Sequence, residues 1–337
     1  MRIAVDAMGG DEAPSVVVEG ALLASRYLKP HKIILVGDEQ RIKECFAAFG
    51  YAGTGLEIVH APEVVFMGEH PAEAMRRKRH SSIRVASELV RDGRADALIS
   101  AGNTGAAVAA SCISFGLLPG IRKPGIAAPM PTRQGGVCVL IDAGANMAPT
   151  PTHLLQYAIM ADIYCKIAFD IKSPRVGLLN VGEEDAKGNV LAKETYARLK
   201  ESQLNFLGNV EGRDVFEGTC DLIVCDGFVG NSILKAAEGL SEAIIHLLRT
   251  ELHRNLLRRL GGLLCKSAFR SVKDRMDCSE YGGAPLLGVN GISIISHGGS
   301  NGRAIFNAIR VAARLAEMDL NTKIVDEVGA AVRGNGN

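Results

Sequence analysis

The chain has 337 residues, 47% of them apolar, with 38 glycines, 5% aromatics and no Trp. That length suits one large α/β unit or about two domains, and the scarcity of aromatics is poor stock for stacking nucleic-acid bases. Lys and Arg number 38 against 37 Asp and Glu, so the formal charge is +1 and no global field recruits DNA or RNA.

No apolar run approaches membrane-spanning length, and the opening MRIAVDAMGGDEAP reads as a strand rather than a signal peptide. The eight cysteines form no CxxC pair and no cluster with His at zinc spacing. These features predict a cytoplasmic protein with reduced thiols and no structural metal.

Strand-like runs recur along the chain: IAVDAMGGD from Ile3, KIILVGD from Lys32, LEIVHAPE from Leu56 and ALISAGNTGA from Ala97. Helical spacing fills the gaps at 16–27, 40–49 and 82–92. Further strands are read in GIAAPMP from Gly125, GVCVLIDAGANM from Gly136, RVGLLNVGEED from Arg175, LNFLGNVEG from Leu204 and GISIISHGGSN from Gly291. Such alternation predicts an α/β fold, a mostly parallel sheet with helices on both faces, treated as one catalytic domain over 1–337.

Within it, DLIVCDGFVGNSILK at 221–235 changes period at a glycine. Leu222, Ile223, Val224 and Cys225 read as a doubly covered strand, and Ile233, Leu234, Ala237 and Leu240 then follow helical spacing. Asn231 or Ser232 is expected where that helix begins, beside free backbone N–H groups suited to a phosphate or an oxyanion.

From 240 to 275 the pattern is a basic amphipathic helix interrupted at Gly261-Gly262, a protrusion from the sheet. Leu256 and Leu260 belong to its apolar stripe, Arg254 and Arg258 to its basic face. Packing on its own domain, pairing with a second subunit and contact with an anionic membrane surface all fit that pattern.

Polar groups gather where strands end. Asp6 precedes Met8-Gly9-Gly10, Asn103 and Thr104 lie between glycines, and Asp142 and Asn146 lie in DAGANM. Asn180, Glu183 and Lys187 fall in NVGEEDAKGN, Asp226 precedes Gly227, and His297 and Asn301 fall in SHGGSN. Glycine-flanked donors of this kind suit an anion cradle along one sheet edge, and ordinary turn chemistry explains each singly. Lys187 reads equally as a phosphate-neutralising ammonium and as a solvated loop lysine. Cys225 belongs to an apolar run and reads as core. Neither GxGxxG nor GxxxxGK[ST] occurs, which argues against dinucleotide and ATP sites.

The ordered set DAMGGDEAP, SAGNTGA, DAGAN, LLNVGEEDAKGN, VCDGFVGNSILK, GGAPLLGVNG and SHGGSN resembles the PlsX-type acyl-acyl-carrier-protein:phosphate acyltransferases, from residue 1 to about 328. The resemblance implies a fold similar to the isocitrate and isopropylmalate dehydrogenases. It also implies transfer of a fatty acyl group from the thioester of acyl carrier protein to inorganic phosphate, forming acyl phosphate for phospholipid synthesis. A homodimer, peripheral membrane attachment and delivery to a membrane glycerol-3-phosphate acyltransferase follow from it, with no cofactor. The family's active lysine and asparagine fall on Lys187 and Asn231. A phosphotransacetylase using acyl-CoA and an NAD-dependent decarboxylating dehydrogenase are the rival readings.

Overall fold

The computed structural model describes residues 1–28, 31–52, 55–276 and 278–334. Its first stretch alternates as expected: β1 (Arg2–Asp6), α1 (Ser15–Tyr27), β2 (Lys32–Gly37), α2 (Glu39–Ala48), β3 (Leu56–His60), α3 (Pro71–Arg77), α4 (Ser82–Arg91), β4 (Ala97–Ser100) and α5 (Thr104–Phe115). Next come β5 (Gly125–Pro131), β6 (Val137–Ile141), α6 (Pro151–Phe169), β7 (Val176–Leu179), α7 (Val190–Lys200), β8 (Phe206–Val210), α8 (Asp214–Glu217) and β9 (Leu222–Val224). The chain continues with α9 (Gly227–His253), α10 (Leu256–Leu264), α11 (Lys266–Met276), a 3-10 turn, β10 (Ala284–Leu287), β11 (Ile292–Ile295), α12 (Gly302–Glu317) and α13 (Leu320–Gly334).

Among the described residues, eleven strands form one sheet in the order β3-β2-β1-β4-β11-β10-β5-β6-β9-β7-β8. Successive side chains of a strand point to opposite faces, so a strand covered on both sides must be apolar throughout. In β1, Ile3 and Val5 enter one core cluster and Ala4 the other. In β9, Leu222 and Val224 face the first cluster while Ile223 joins a third with Cys138 and Leu140 of β6. The first face is covered by α1, α6, α12 and α13, whose Val17, Tyr157, Ile309 and Ile324 are buried there. The opposite face is covered by α3, α4 and α5 over one half and by the start of α9 over the other.

The sheet corrects one expectation. β10 pairs antiparallel with both β11 and β5, and β5 pairs antiparallel with β6. These three reversals turn β6, β9 and β7 against β1, β4 and β11. Strand carboxyl ends therefore lie on two opposite rims, separated by about 15 Å for strands of four to five residues, and not on a single edge.

The protruding segment also differs from the sequence reading. Its break lies at Arg254-Asn255, where the Asn255 side chain accepts the Arg258 amide and starts a new helix; Gly261 and Gly262 lie inside α10. Asn is a strong helix starter, and two glycines in a nine-residue helix are tolerated where α10 folds back on α9, with Gly262 against Leu252. Among the described residues, no helix is long and apolar enough to cross a membrane.

Candidate functional site

On the first rim the loops after β1, β4 and β11 meet. The Asp11 amide donates to the Gly298 carbonyl at 2.9 Å. A Cβ on Gly9 would lie 2.7 Å from the Gly102 nitrogen, so only glycine permits this crossing. Asp6 lies beneath, 3% exposed, its Oδ2 accepting Ser100 Oγ at 2.8 Å and its Oδ1 accepting the Met8 amide at 3.2 Å. Burial raises its pKa, opposed by hydrogen bonds from Ser82, Ser100, Met8 and Gly9. A small cavity lined by Asp6, Gly9, Ser82, Ser100 and Asn103 lies between these loops.

Several expected ligand groups are instead used by the chain itself. Asn103 caps α5 through the Ala106 amide at 3.0 Å, and its Nδ2 donates to the Phe66, Met67 and Glu69 carbonyls. Asn301 caps α12 through the Ala304 amide at 2.9 Å. Thr104, the first residue of α5, is exposed. His297 is exposed, with Nδ1 accepting the Gly299 amide at 3.1 Å and Nε2 3.6 Å from Glu238 of α9.

On the second rim, Asp142 ends β6 fully buried. Its Oδ1 accepts the Ile126, Gly144 and Ala145 amides and its Oδ2 the Asn146 amide, at 2.7–3.1 Å. Burial raises its pKa against these four donors. Asn146 Nδ2 donates to Tyr157 Oη at 2.8 Å and to the Pro124 carbonyl. Both side chains hold the DAGANM loop in shape, the Asp142 oxygens through four amides and the Asn146 amide nitrogen through two acceptors.

The start of α9 is earlier than the sequence suggested. Asp226 is the N-cap, its Oδ1 accepting the Phe228 and Val229 amides at 3.0 Å, and Gly227 begins the helix. An Asp at this position saturates the first free donors, so Asn231 lies one turn inside and presents its side-chain amide instead. It stands against Gly144, whose added Cβ would touch the Asn231 side chain at 3.4 Å.

Beyond the neighbouring strand β7, Asn180 accepts the Val181 amide and donates Nδ2 to the Lys187 carbonyl at 3.1 Å, folding the loop back. Glu183 pairs with Arg213 at 3.2 Å. Lys187 Nζ, exposed, lies 2.7 Å from Glu184, which raises the lysine's pKa and keeps it cationic. Glu184 was not among the expected site residues; an acid three residues before a lysine in a tight loop is the signal that would have found it.

Lys187 and Asn231 thus share a rim, carried by adjacent parallel strands. α9 links the rims: Glu238, about 10 Å along the axis from Asn231, takes Lys235 at 2.8 Å and faces His297. Cys225 is buried, its thiol pushed well above the usual range by burial and by Asp226 and Asp142, with Sγ against the Asp142 carbonyl. Such a thiol is no nucleophile.

A family model described as "Fatty acid synthesis protein" matches residues 1–323. The phosphate acyltransferase of Pelotomaculum thermopropionicum is 51% identical over 319 residues, covering 94% of this chain and 92% of that one. That of Desulfitobacterium hafniense is 51% identical over 329 residues, covering 97% and 98%. Among solved structures, a phosphotransacetylase from Streptococcus pyogenes superposes with a TM-score of 0.64 at 19% identity, covering 94% of each chain. A branched-chain phosphotransacylase from Enterococcus faecalis gives 0.55 at 17%, covering 93% and 98%. At such identities the structural likeness is one of fold. Relatedness along nearly the whole length carries the stronger conclusion: the chain belongs to the phosphate acyltransferase family.

Proposed function

We propose that this acyltransferase moves a fatty acyl group from the thioester of acyl carrier protein to inorganic phosphate, releasing acyl phosphate. The observation that carries the reading is the placement of Lys187 and Asn231 on one rim, after adjacent strands β7 and β9. Strands so paired lie about 4.8 Å apart, so the two loops that carry the cation and the amide start side by side on that rim.

Phosphate dianion approaches Lys187 and displaces Glu184, an exchange made easy because an exposed ion pair of this kind is weak. A phosphate oxygen attacks the thioester carbon, and the negative charge passes to the carbonyl oxygen, where Asn231 donates a hydrogen bond. The carbon–sulfur bond then breaks and the carrier leaves as thiolate, which solvent protonates. Phosphate is already nucleophilic at neutral pH, so orientation and charge stabilisation supply the catalysis. The buried, protonated Cys225 takes no acyl group.

The α9–α10 arm extends the reading. Leu256 and Leu264 are 76% and 87% exposed, beside Arg258 and Arg254, which share Glu251. Leucines with flanking arginines fit an anionic bilayer surface, where a labile amphiphilic product passes to a membrane glycerol-3-phosphate acyltransferase. Leu240, Ile244, Leu247 and Leu248, nearer the base, fit a homodimer contact.

The test is phosphate-dependent deacylation with hydroxylamine trapping of acyl phosphate, comparing acyl carrier protein with acyl-CoA as donor. Removing one oxyanion donor costs about 10²–10³ in turnover, so Asn231→Ala, and likewise Lys187→Ala, should nearly silence the reaction while melting as the wild type does. Folded variants that keep full activity overturn the assignment; preference for acyl-CoA turns the reading toward a phosphotransacetylase.

A further inference from the structure

The densest basic run in the chain, Arg76-Arg77-Lys78-Arg79-His80, takes no part in the site described above. It closes a segment, residues 61–81, that stands as a wall beside the first rim. Three observations bear on what it does.

Lys78 alone turns inward. Its Nζ donates to the Val64 carbonyl at 2.6 Å and to Glu69 at 2.5 Å, and lies 4.8 Å over the Phe66 ring. Glu69 in turn accepts the Phe66 amide and is held below the usual carboxylate range by Lys78. The lysine therefore rivets the segment and leaves its neighbours outside.

Those neighbours are exposed, and the two at the ends of the arginine series are uncompensated. Arg77 pairs with Glu73 one turn away, but Arg76 and Arg79 have no carboxylate within ion-pairing distance among the described residues. Arg254 and Arg258 of the protruding arm share Glu251, while Arg249 and Arg259 there, like Arg76 and Arg79, have no carboxylate within ion-pairing distance among the described residues. Phe66 and Met67 of the same segment are 66% and 53% exposed, with Phe66 under Lys78. Exposed Arg, Phe and Met in one segment match the composition of a protein contact core more than of a solvated face.

The segment also adjoins the first rim, the one opposite Lys187 and Asn231 and joined to it by α9. Asn103 at the start of α5 donates to its carbonyls, Pro71 packs so closely on Gly105 that an added Cβ would lie 2.4 Å from it, and Met67 Cε lies against Gly298.

We propose that this basic wall is the docking surface for an acidic protein that delivers the acyl thioester, with Arg76 and Arg79 pairing with its carboxylates and Phe66 and Met67 filling the centre of the contact. The inference rests on the transfer reading for the identity of the partner, and on charge and apolar exposure for the place. Steering by uncompensated arginines raises the association rate and is screened by salt.

The experiment measures binding of fluorescently labelled acyl carrier protein to the full chain by anisotropy at low and high salt. Arg76→Glu with Arg79→Glu should weaken binding about tenfold at low salt, flatten the salt dependence, and raise KM for the carrier-borne donor with an unchanged melting temperature. Phe66→Ala should weaken it without altering the salt dependence. Unchanged carrier affinity in both variants overturns the proposal. So does a loss confined to Arg254→Glu with Arg258→Glu, which places docking on the arm, or a loss of binding to phosphatidylglycerol vesicles with carrier affinity intact, which makes the wall a lipid contact. A wild type that binds carrier through this wall yet forms no acyl phosphate supports the surface and sinks the transfer reading alone.

Discussion

Gly230 gives the sharpest stability prediction. It is buried in the first turn of α9, and a Cβ there would lie 2.0 Å from the Asp142 carbonyl oxygen and 2.9 Å from Cys225 Sγ. Backbone cannot swing aside, so Gly230→Ala forces the helix off the end of β6 by roughly 1 Å. Overpacking of this kind costs about 3 kcal/mol, against a gain of about 1 kcal/mol for alanine in a helix, leaving a net loss of about 2 kcal/mol. For a chain of this size that lowers the melting temperature by about 3 °C. Gly239→Ala is the matched control: same helix, exposed, with nothing within 4 Å of the added Cβ. It should raise the melting temperature by about 1.4 °C. Calorimetric melts of both variants decide the matter, and turnover should fall only in Gly230→Ala, since Asn231 moves with that turn. If Gly230→Ala instead gains stability as Gly239→Ala does, the helix start is not pinned on the Asp142 carbonyl, and the positioning of Asn231 argued from that contact fails.

Three further outcomes follow from the structure. Cys225→Ala should lose some stability through a small cavity yet keep most of its turnover; a dead but folded variant, or an acyl group trapped on this thiol in the wild type, would refute direct attack by phosphate. Asp221 takes two guanidinium bonds and one amide bond from Arg175, all at 2.9 Å; burial raises its pKa, and these bonds together outweigh burial and lower it. A depressed folded pKa stabilises above the ordinary aspartate pKa and is lost as pH falls through the folded value, so Asp221→Asn should cost about 1–2 kcal/mol near neutrality, discounted for the partly exposed Arg175. That gap should close in acid unfolding titrations, and a gap independent of pH would refute the linkage. Leu256→Glu with Leu260→Glu should abolish flotation with anionic vesicles and leave soluble turnover intact; unaltered flotation removes the arm from the membrane contact.

Much of this protein was legible in the chain alone, because it depends on neighbours in sequence. Short apolar runs ending at small or polar residues placed ten strands, and helical spacing placed α1, α2 and α4 within a residue or so. β10 escaped, since four residues containing Pro285 between glycines read as a loop until β11 and β5 pair with them. Lys187 and Asn231 were likewise reachable as polar residues after buried runs and short glycine turns, but the side-by-side placing of β7 and β9 was not.

Tertiary structure alone decided direction and direct use. Whether a strand runs up or down depends on partners far away in sequence, so nothing local announced that β5, β10 and β11 reverse the second half and set the polar loops on two rims. Nor does an Asn or Asp after a strand say what its oxygen meets: Asn103, Asp226 and Asn301 serve their own helices, and Asp142 meets four amides gathered from 126 to 146. Hydrogen bonding saturates over a few ångströms of space, while sequence records only distance along the chain.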